Sequence, residues 1–202
     1  LDTWQQRVQA IPLEQVKAML ASQSLPTDYV DIPFTAFLVV SGDNKFLIDT
    51  GFADNGPPTT GRLRANLAAA GYKPEDISHV ILSHYHGDHI NGLLSAVNGR
   101  AFPAAQVLVP EPEWAWWTTE GNQTRSPEGQ RGNFANVARR FAPYQGRVTP
   151  FRPGAEVIPG VAIEKDLLWH ALERDGTLEG QVLRQVDGPH APLADEGLDR
   201  EA

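Results

Sequence analysis

The stretch SHYHGDHING constrains the fold of this chain more than any other, because it places three histidines and an aspartate within six positions. The preceding residues, HVILS, predict a strand, and side chains two apart along a strand point the same way, as His84 and His86 then do. Gly87 lets the backbone bend, so that Asp88 and His89 face a neighbouring point. The pattern predicts two adjacent metal positions where a buried strand ends.

The chain contains no cysteine, so a metal must be held by imidazole and carboxylate groups. This donor set suits Zn²⁺, while Mn, Fe and Co stay open. A catalytic zinc lowers the pKa of its bound water to about 7, and two ions about 3.5–4 Å apart can share a hydroxide. Hydrolysis is the predicted chemistry. The sequence has no G-x-S-x-G serine motif, phosphate loop or dinucleotide glycine motif.

The charge of the chain bears on its partners. With 25 acidic and 17 basic residues and a formal net charge of -8, it would repel a nucleic-acid backbone or an anionic membrane face. No apolar run approaches the roughly 20 residues that span a bilayer. The expected partner is a small-molecule substrate, and a homodimer stays open. The chain begins at Leu1, so an export signal could already be removed, and both a cytoplasmic and a periplasmic or secreted location stay open.

The apolar patterns predict a mixed α/β fold. TAFLVV and KFLIDTG, separated by SGDN, predict a hairpin, and ISHVILS and AQVLVP predict buried strands. GRLRANLAAAGY, EPEWAWWTTE and NFANVARRFAPY have helical spacing, whereas Gly121 to Gly132 is predicted to be a loop. RVTPF and AEVIPGVAI predict further strands. We assign residues 1–163 to one domain, and the charged segment 164–202 to a diverged polar tail with one or two short helices.

SHYHGDHINGL, preceded by a strand that ends in FLIDTG, resembles the signature of the metallo-β-lactamase superfamily. From about Tyr29 to Ile163 the chain is similar to the branch that includes methyl parathion hydrolase and the quorum-quenching lactonases. The resemblance implies an αββα sandwich with a dinuclear zinc site at its rim. It implies that His84 and His86 bind the first metal, and that Asp88 and His89 bind the second.

The resemblance also implies a role for Asp49, which would hydrogen-bond near the site and orient a ligand. The alternative is a strand-end aspartate that caps the turn into Thr50 and Gly51. The family completes its site with a histidine in a Gly-His-Thr-x-Gly-His type loop, a bridging aspartate and a last histidine. None of the three is recognisable here, so the fold is expected to be incomplete in its second half. His170 and His190 are the histidines left downstream, and we interpret both as surface residues.

Three aromatic residues are candidates for a substrate pocket. Trp116 and Trp117 correspond roughly to positions where the resembled branch places aromatic residues near its substrate, and packing under a helix is the alternative. Tyr85 could hydrogen-bond a substrate oxygen or pack in the interior. His79 has the wrong phase for the site and is interpreted as structural.

These observations favour a metal-dependent hydrolase in which a metal-bound hydroxide attacks an ester, lactone or phosphotriester while Asp88 positions it and shuttles its proton. A related reading is a thioester hydrolase, or an iron enzyme that oxidises sulfur. A second hypothesis is a truncated or diverged derivative that binds metal weakly without turnover. A third, an interaction module that needs no metal, predicts that loss of His84 and His86 leaves function unchanged.

Overall fold

The computed structural model describes residues 11–30 and 32–163, and the backbone of 183–185. The chain divides into two compact units, Leu1–Pro33 and Phe34–Ala202. In the first unit, helix α1 (Leu13–Ser22) has no buried side chain. Within the described ranges, no helix is both long enough and apolar enough to cross a membrane.

The second unit contains strands and helices in alternation. The strands are β1 (Phe37–Ser41), β2 (Asn44–Ile48), β3 (His79–Ile81), β4 (Gln106–Pro110), β5 (Val148–Phe151), β6 (Glu156–Ile158), β7 (Val161–Ile163) and β8 (Leu183–Gln185). The α-helices are α2 (Leu63–Ala69), α3 (Gly87–Ile90), α4 (Glu111–Thr118), α5 (Asn122–Arg125) and α6 (Glu128–Phe141). Short 3-10 helices cover Ala53–Asn55, Pro74–Asp76, Asn91–Leu93 and Ala142–Tyr144.

The first sheet has the strand order β1-β2-β3-β4-β5. The predicted hairpin is confirmed, because β1 and β2 pair antiparallel and Gly42 has the positive φ of 56° that a tight turn uses. Strands β2 to β5 are parallel to one another. The carboxyl ends of β2 and β3 therefore lie at the same edge of the sheet, and the residues that follow them, near Asp49 and His84, are brought together.

Alternate residues of the first sheet enter two different cores, as the two-residue period of a strand requires. Leu47 and Val107 pack with the helices, in a cluster that also contains Leu67, Trp117, Phe134, Val137 and Phe141. Phe46 and Leu108 pack on the opposite face with Ile48, Ile81, Phe151, Val161 and Ile163. The predicted α/β fold is thus confirmed, and the first sheet is buried on both faces.

The second sheet has the order β6-β7-β8, with antiparallel pairing throughout. Val161 and Ile163 of β7 belong to the core that covers the first sheet. Among the described residues the layering is helix, sheet, sheet, and a second helical layer is not found there. Leu183–Gln185 form a strand within the segment for which the sequence predicts helix. The rest of the predicted tail lies outside the described residues.

The prediction of a loop from Gly121 to Gly132 is wrong. Helix α5 occupies Asn122–Arg125, and α6 already begins at Glu128. Arg131 donates from Nε to the Ser126 carbonyl at 3.0 Å and so ties the start of α6 to the preceding turn. The apolar face of α6 is buried, and this packing outweighs the low helix propensity of its glycines.

Candidate metal centre

The backbone of the histidine motif bends at Gly87, where the sequence predicts a bend. His86 is extended, with φ -72° and ψ 158°, and α3 begins at the next residue, Gly87. Gly87 is not among the residues with positive φ. A Cβ at this position would lie 3.0 Å from Nδ2 of Asn91. The bend at Gly87 therefore needs no left-handed conformation, and the missing side chain leaves room for Asn91.

The motif side chains converge. Nε2 of His84 lies 3.2 Å from Nδ1 of His86, and Nε2 of His89 lies 3.2 Å from Oδ2 of Asp88. The ring centroids of His84 and His89 are 3.9 Å apart. His84 is buried, Asp88 and His89 are partly exposed, and His86 is exposed. The four side chains thus form two pairs that border solvent.

Asp49 contacts His89 directly and also binds Ser83, whose hydroxyl lies beside His84. Its backbone is left-handed, with φ 58°, a conformation that is uncommon outside glycine. Oδ2 accepts hydrogen bonds from Nδ1 of His89 at 2.7 Å and from Oγ of Ser83 at 2.8 Å, while Oδ1 accepts from the Ser83 amide at 2.9 Å. Asp49 therefore contacts both the motif histidine His89 and Ser83. Ser83 received no role from the sequence, although it directly precedes the first histidine.

The turn after β2 is joined tightly to the helical part of the motif. Thr50 donates to the carbonyl of His89 from both its amide, at 2.8 Å, and its hydroxyl, at 2.6 Å. The Gly92 amide donates to the Gly51 carbonyl at 3.1 Å. A Cβ on Gly92 would lie 2.1 Å from the Thr50 carbonyl oxygen, which is too close for any side chain. Only glycine allows this approach.

Helices α4 and α6 hold the backbone of the motif from the other side. The Tyr85 amide donates to Glu113 at 3.2 Å, and Asn133 donates from Nδ2 to the Tyr85 carbonyl at 2.7 Å. Buried Arg140 donates from Nη1 to the Asn91 carbonyl at 2.8 Å. Sequence reasoning did not find these supports, because nothing in the sequence shows which polar residues of a helix face a loop about 50 positions away.

The pKa values of His84 and His89 are shifted in opposite directions. Burial, assisted by the charge of His89, lowers the pKa of His84 to about 4. Burial also disfavours the charged form of His89, but its hydrogen bonds to Asp49 and Asp88 outweigh this effect and raise its pKa to about 9. Burial opposes ionisation of Asp88, yet the hydrogen bond and charge of His89 lower its pKa to about 2. At neutral pH, metal-free protein therefore holds a neutral His84 beside a charged His89.

The aromatic candidates lie in different surroundings. Tyr85 is fully buried, its ring centroid is 5.0 Å from that of Phe141, and its pKa is raised above the usual range by burial and by Glu113. Trp117 is buried and donates to Glu113 at 2.8 Å. Trp116 is 40% exposed. The interior alternative thus describes Tyr85 and Trp117, whereas Trp116 remains open to a ligand.

His79 stacks on Phe46, with ring centroids 5.2 Å apart, and its Nδ1 lies 2.9 Å from Oγ of Ser78. These contacts agree with the structural role expected for it. His170 and His190 lie outside the described residues.

The donors present fit zinc in their chemistry, because imidazole nitrogen and carboxylate oxygen are ligands that zinc takes. Their arrangement fits only in part. Within the part of the chain that the structure describes, no group of three or more His, Asp or Glu side chains could hold one ion. The ligand set that the resemblance implies would give each of two metal positions two donors from the motif, fewer than the three protein ligands usual for catalytic zinc.

The protein has an α/β fold in which histidine and aspartate side chains lie at the carboxyl ends of two parallel strands. Residues 33–183 match the model of the metallo-beta-lactamase superfamily, and the chain belongs to this superfamily.

Comparison with individual proteins adds distant relatives. The structure is similar to that of AbOPH, a hydrolase in the beta lactamase superfamily, with TM-score 0.68, 29% identity and coverage of 77% of this chain and 55% of that chain. It shares its fold with AidC, a dizinc quorum-quenching lactonase solved with a product, with TM-score 0.66, 22% identity and coverage of 76% and 55%. The sequence is 27% identical to an N-acyl homoserine lactonase of Bacillus sp, in a match that covers 44% of this chain and 41% of that protein. The chain thus spans about half the length of these relatives.

Proposed function

We propose that this chain carries the metal-binding motif of a hydrolase that acts on an ester, lactone or phosphotriester. The observation that carries the proposal is the convergence of His84 Nε2 on His86 Nδ1, and of Asp88 Oδ2 on His89 Nε2, each at 3.2 Å. The distant similarity to lactonases supports the lactone among these substrates.

The motif residues have separate tasks in this proposal. His84 and His86 would hold one zinc ion, and Asp88 and His89 the other. When bound, zinc supplies a Lewis acid and lowers the pKa of a water molecule to about 7, which is the chemistry that hydrolysis needs. Asp88 is ionised at neutral pH and can accept a proton at a carboxylate oxygen close to the substrate. Asp49 keeps the ring of His89 in place through Nδ1.

The exposed Trp116 is our candidate for an apolar wall against the substrate. Tyr85 and Trp117 are buried in the core and would not contact the substrate.

A second candidate is a derivative of the same fold that binds metal weakly and has no turnover. One observation favours it: among the described residues, no three donors can hold one ion. A site with two donors per ion lacks the three protein ligands usual for catalytic zinc, so its affinity should be low.

Elemental analysis of freshly purified protein separates the two candidates. The hydrolase should contain about two zinc equivalents per chain and cleave an aryl ester or a lactone in a chelator-sensitive way, and His86→Ala should abolish both zinc retention and activity. The derivative should contain little zinc and lose it on dialysis. His79→Gln, which removes an imidazole outside the site, is the matched control and should leave zinc content unchanged. Zinc that survives dialysis in equal amounts in His86→Ala and the unmodified protein would contradict both candidates.

A further inference from the structure

We infer that Ser83 is a positioning residue that fixes the proton of His84 on Nδ1, so that the Nε2 lone pair is available to a metal. The inference rests on the proposed metal site, but its first test needs no metal. Ser83 is not one of the metal ligands that the resemblance implies.

The Ser83 hydroxyl is at the centre of the hydrogen bonds beneath the site. Its side chain is 1% exposed, so water cannot replace its partners. Oγ lies 2.8 Å from Asp49 Oδ2, 3.1 Å from His84 Nδ1 and 3.2 Å from His89 Nδ1. Among the described residues, no other hydrogen-bond partner of His84 Nδ1 is found.

The direction of these bonds follows from what each group can donate. A carboxylate only accepts, so the single hydroxyl hydrogen of Ser83 goes to Asp49. Oγ can then only accept a hydrogen bond from His84. For this bond to form, Nδ1 of His84 must carry the hydrogen, and Nε2 of the neutral ring must carry the lone pair. Asp49 thus acts on His89 directly, and on His84 through Ser83.

The consequence lies on the opposite side of the ring. Nε2 of His84 faces Nδ1 of His86 at 3.2 Å, so the lone pair that Ser83 secures points towards the other donor of its pair. A metal ligand must present a lone pair, and hydrogen-bond partners that orient histidine ligands typically change metal affinity by about 10- to 100-fold. Loss of the hydroxyl should let His84 adopt the other tautomer and turn an N–H towards the metal position.

The first test measures the tautomer in metal-free protein. In ¹⁵N NMR at pH 7, we expect His84 to show the Nδ1–H form in the unmodified chain and a shift towards Nε2–H in Ser83→Ala. An Nε2–H form in the unmodified protein, or an unchanged tautomer in Ser83→Ala, would overturn the inference. A role in packing alone would not move this signal.

The second test measures Zn²⁺ affinity by competition with a chromophoric chelator. Ser83→Ala should weaken binding about 10-fold or more, and Ser83→Thr, which keeps the hydroxyl, should restore most of the affinity. Ser78→Ala is the matched control, because its Oγ also lies beside a histidine, His79, but outside the site. Equal affinity in Ser83→Ala and Ser78→Ala would count against the inference.

Failure of the proposed metal site and failure of the role inferred for Ser83 would give different results. If the unmodified chain bound no zinc, the proposed metal site would fail, while the NMR signal would still test whether Ser83 sets the tautomer. If zinc bound normally and the tautomer did not depend on Ser83, only the present inference would fail. Should Ser83→Thr not fold, the tautomer of the unmodified protein decides.

Discussion

The two ends of the motif hold histidines that are close in space and have pKa values shifted in opposite directions. His84, at the strand end, has a pKa lowered to about 4 by burial, whereas hydrogen bonds to two carboxylates raise that of His89, in helix α3, to about 9. Their ring centroids are only 3.9 Å apart. The difference teaches that protonation here depends on which residues the fold places behind each ring, and not on the motif itself.

The largest loss of stability should come from Gly92→Ala, which breaks the link between the turn after β2 and the helical end of the motif, which holds His89. The added Cβ would meet the Thr50 carbonyl at 2.1 Å, and neither backbone can move without disrupting the bonds between Thr50 and His89. We expect a loss of about 3 kcal/mol in the free energy of unfolding, measured by urea denaturation. Gly132→Ala, in a helix with nothing within 4 Å, is the control and should be neutral or slightly stabilising. Equal stability of the two variants would contradict the close approach.

The opposite pKa shifts predict that chelator-treated protein is most stable near pH 6.5. The lowered pKa of His84 means that stability falls as the pH drops from 6.5 towards 4, because the unfolded chain then binds the extra proton. The raised pKa of His89 means that its contribution is present below pH 6.5 and is lost as the pH rises towards 9. Because His89 is partly exposed, we expect each decline to be on the order of 1–2 kcal/mol.

Urea denaturation at pH 5, 6.5 and 8.5 measures this profile. Asp49→Asn tests which histidine causes which decline. Removing the carboxylate should flatten the alkaline decline, while the acidic decline remains. An alkaline decline of the same size in Asp49→Asn would mean that groups other than His89 cause it.

The smallest loss of stability should come from Asn133→Ala, which acts only on the part of the motif that holds His84. The variant leaves the buried carbonyl of Tyr85, between His84 and His86, without its bond from Nδ2. We expect a loss of about 1 kcal/mol with an unchanged pKa of His89, measured by denaturation and by NMR titration. Gln130→Ala, at an exposed position of the same helix, should change neither quantity. A shift of the His89 pKa in Asn133→Ala would show that the two ends are not independent.

Much of the fold was predictable because its signals are local. The hairpin around Gly42, the buried strands β3 and β4 and the amphipathic face of α6 follow from two- and three-to-four-residue periods. The start of α6 was not predictable, because its glycines favour a loop and only packing of the helix in the core reverses that preference. The sequence did not decide whether Tyr85 contacts substrate or packs in the interior, because its orientation depends on Phe141 of α6 lying behind it.

The sequence by itself determined the candidate donors: three histidines and an aspartate after a strand, with another aspartate at the end of the strand before, and no thiol to compete with them. Tertiary structure decided how these donors are held and charged. Asp49 reaches Ser83 and His89 across 34 and 40 positions of the chain, because β2 and β3 are parallel and end at the same edge of the sheet. Contacts between residues so distant in sequence depend on strand register, which no local pattern encodes.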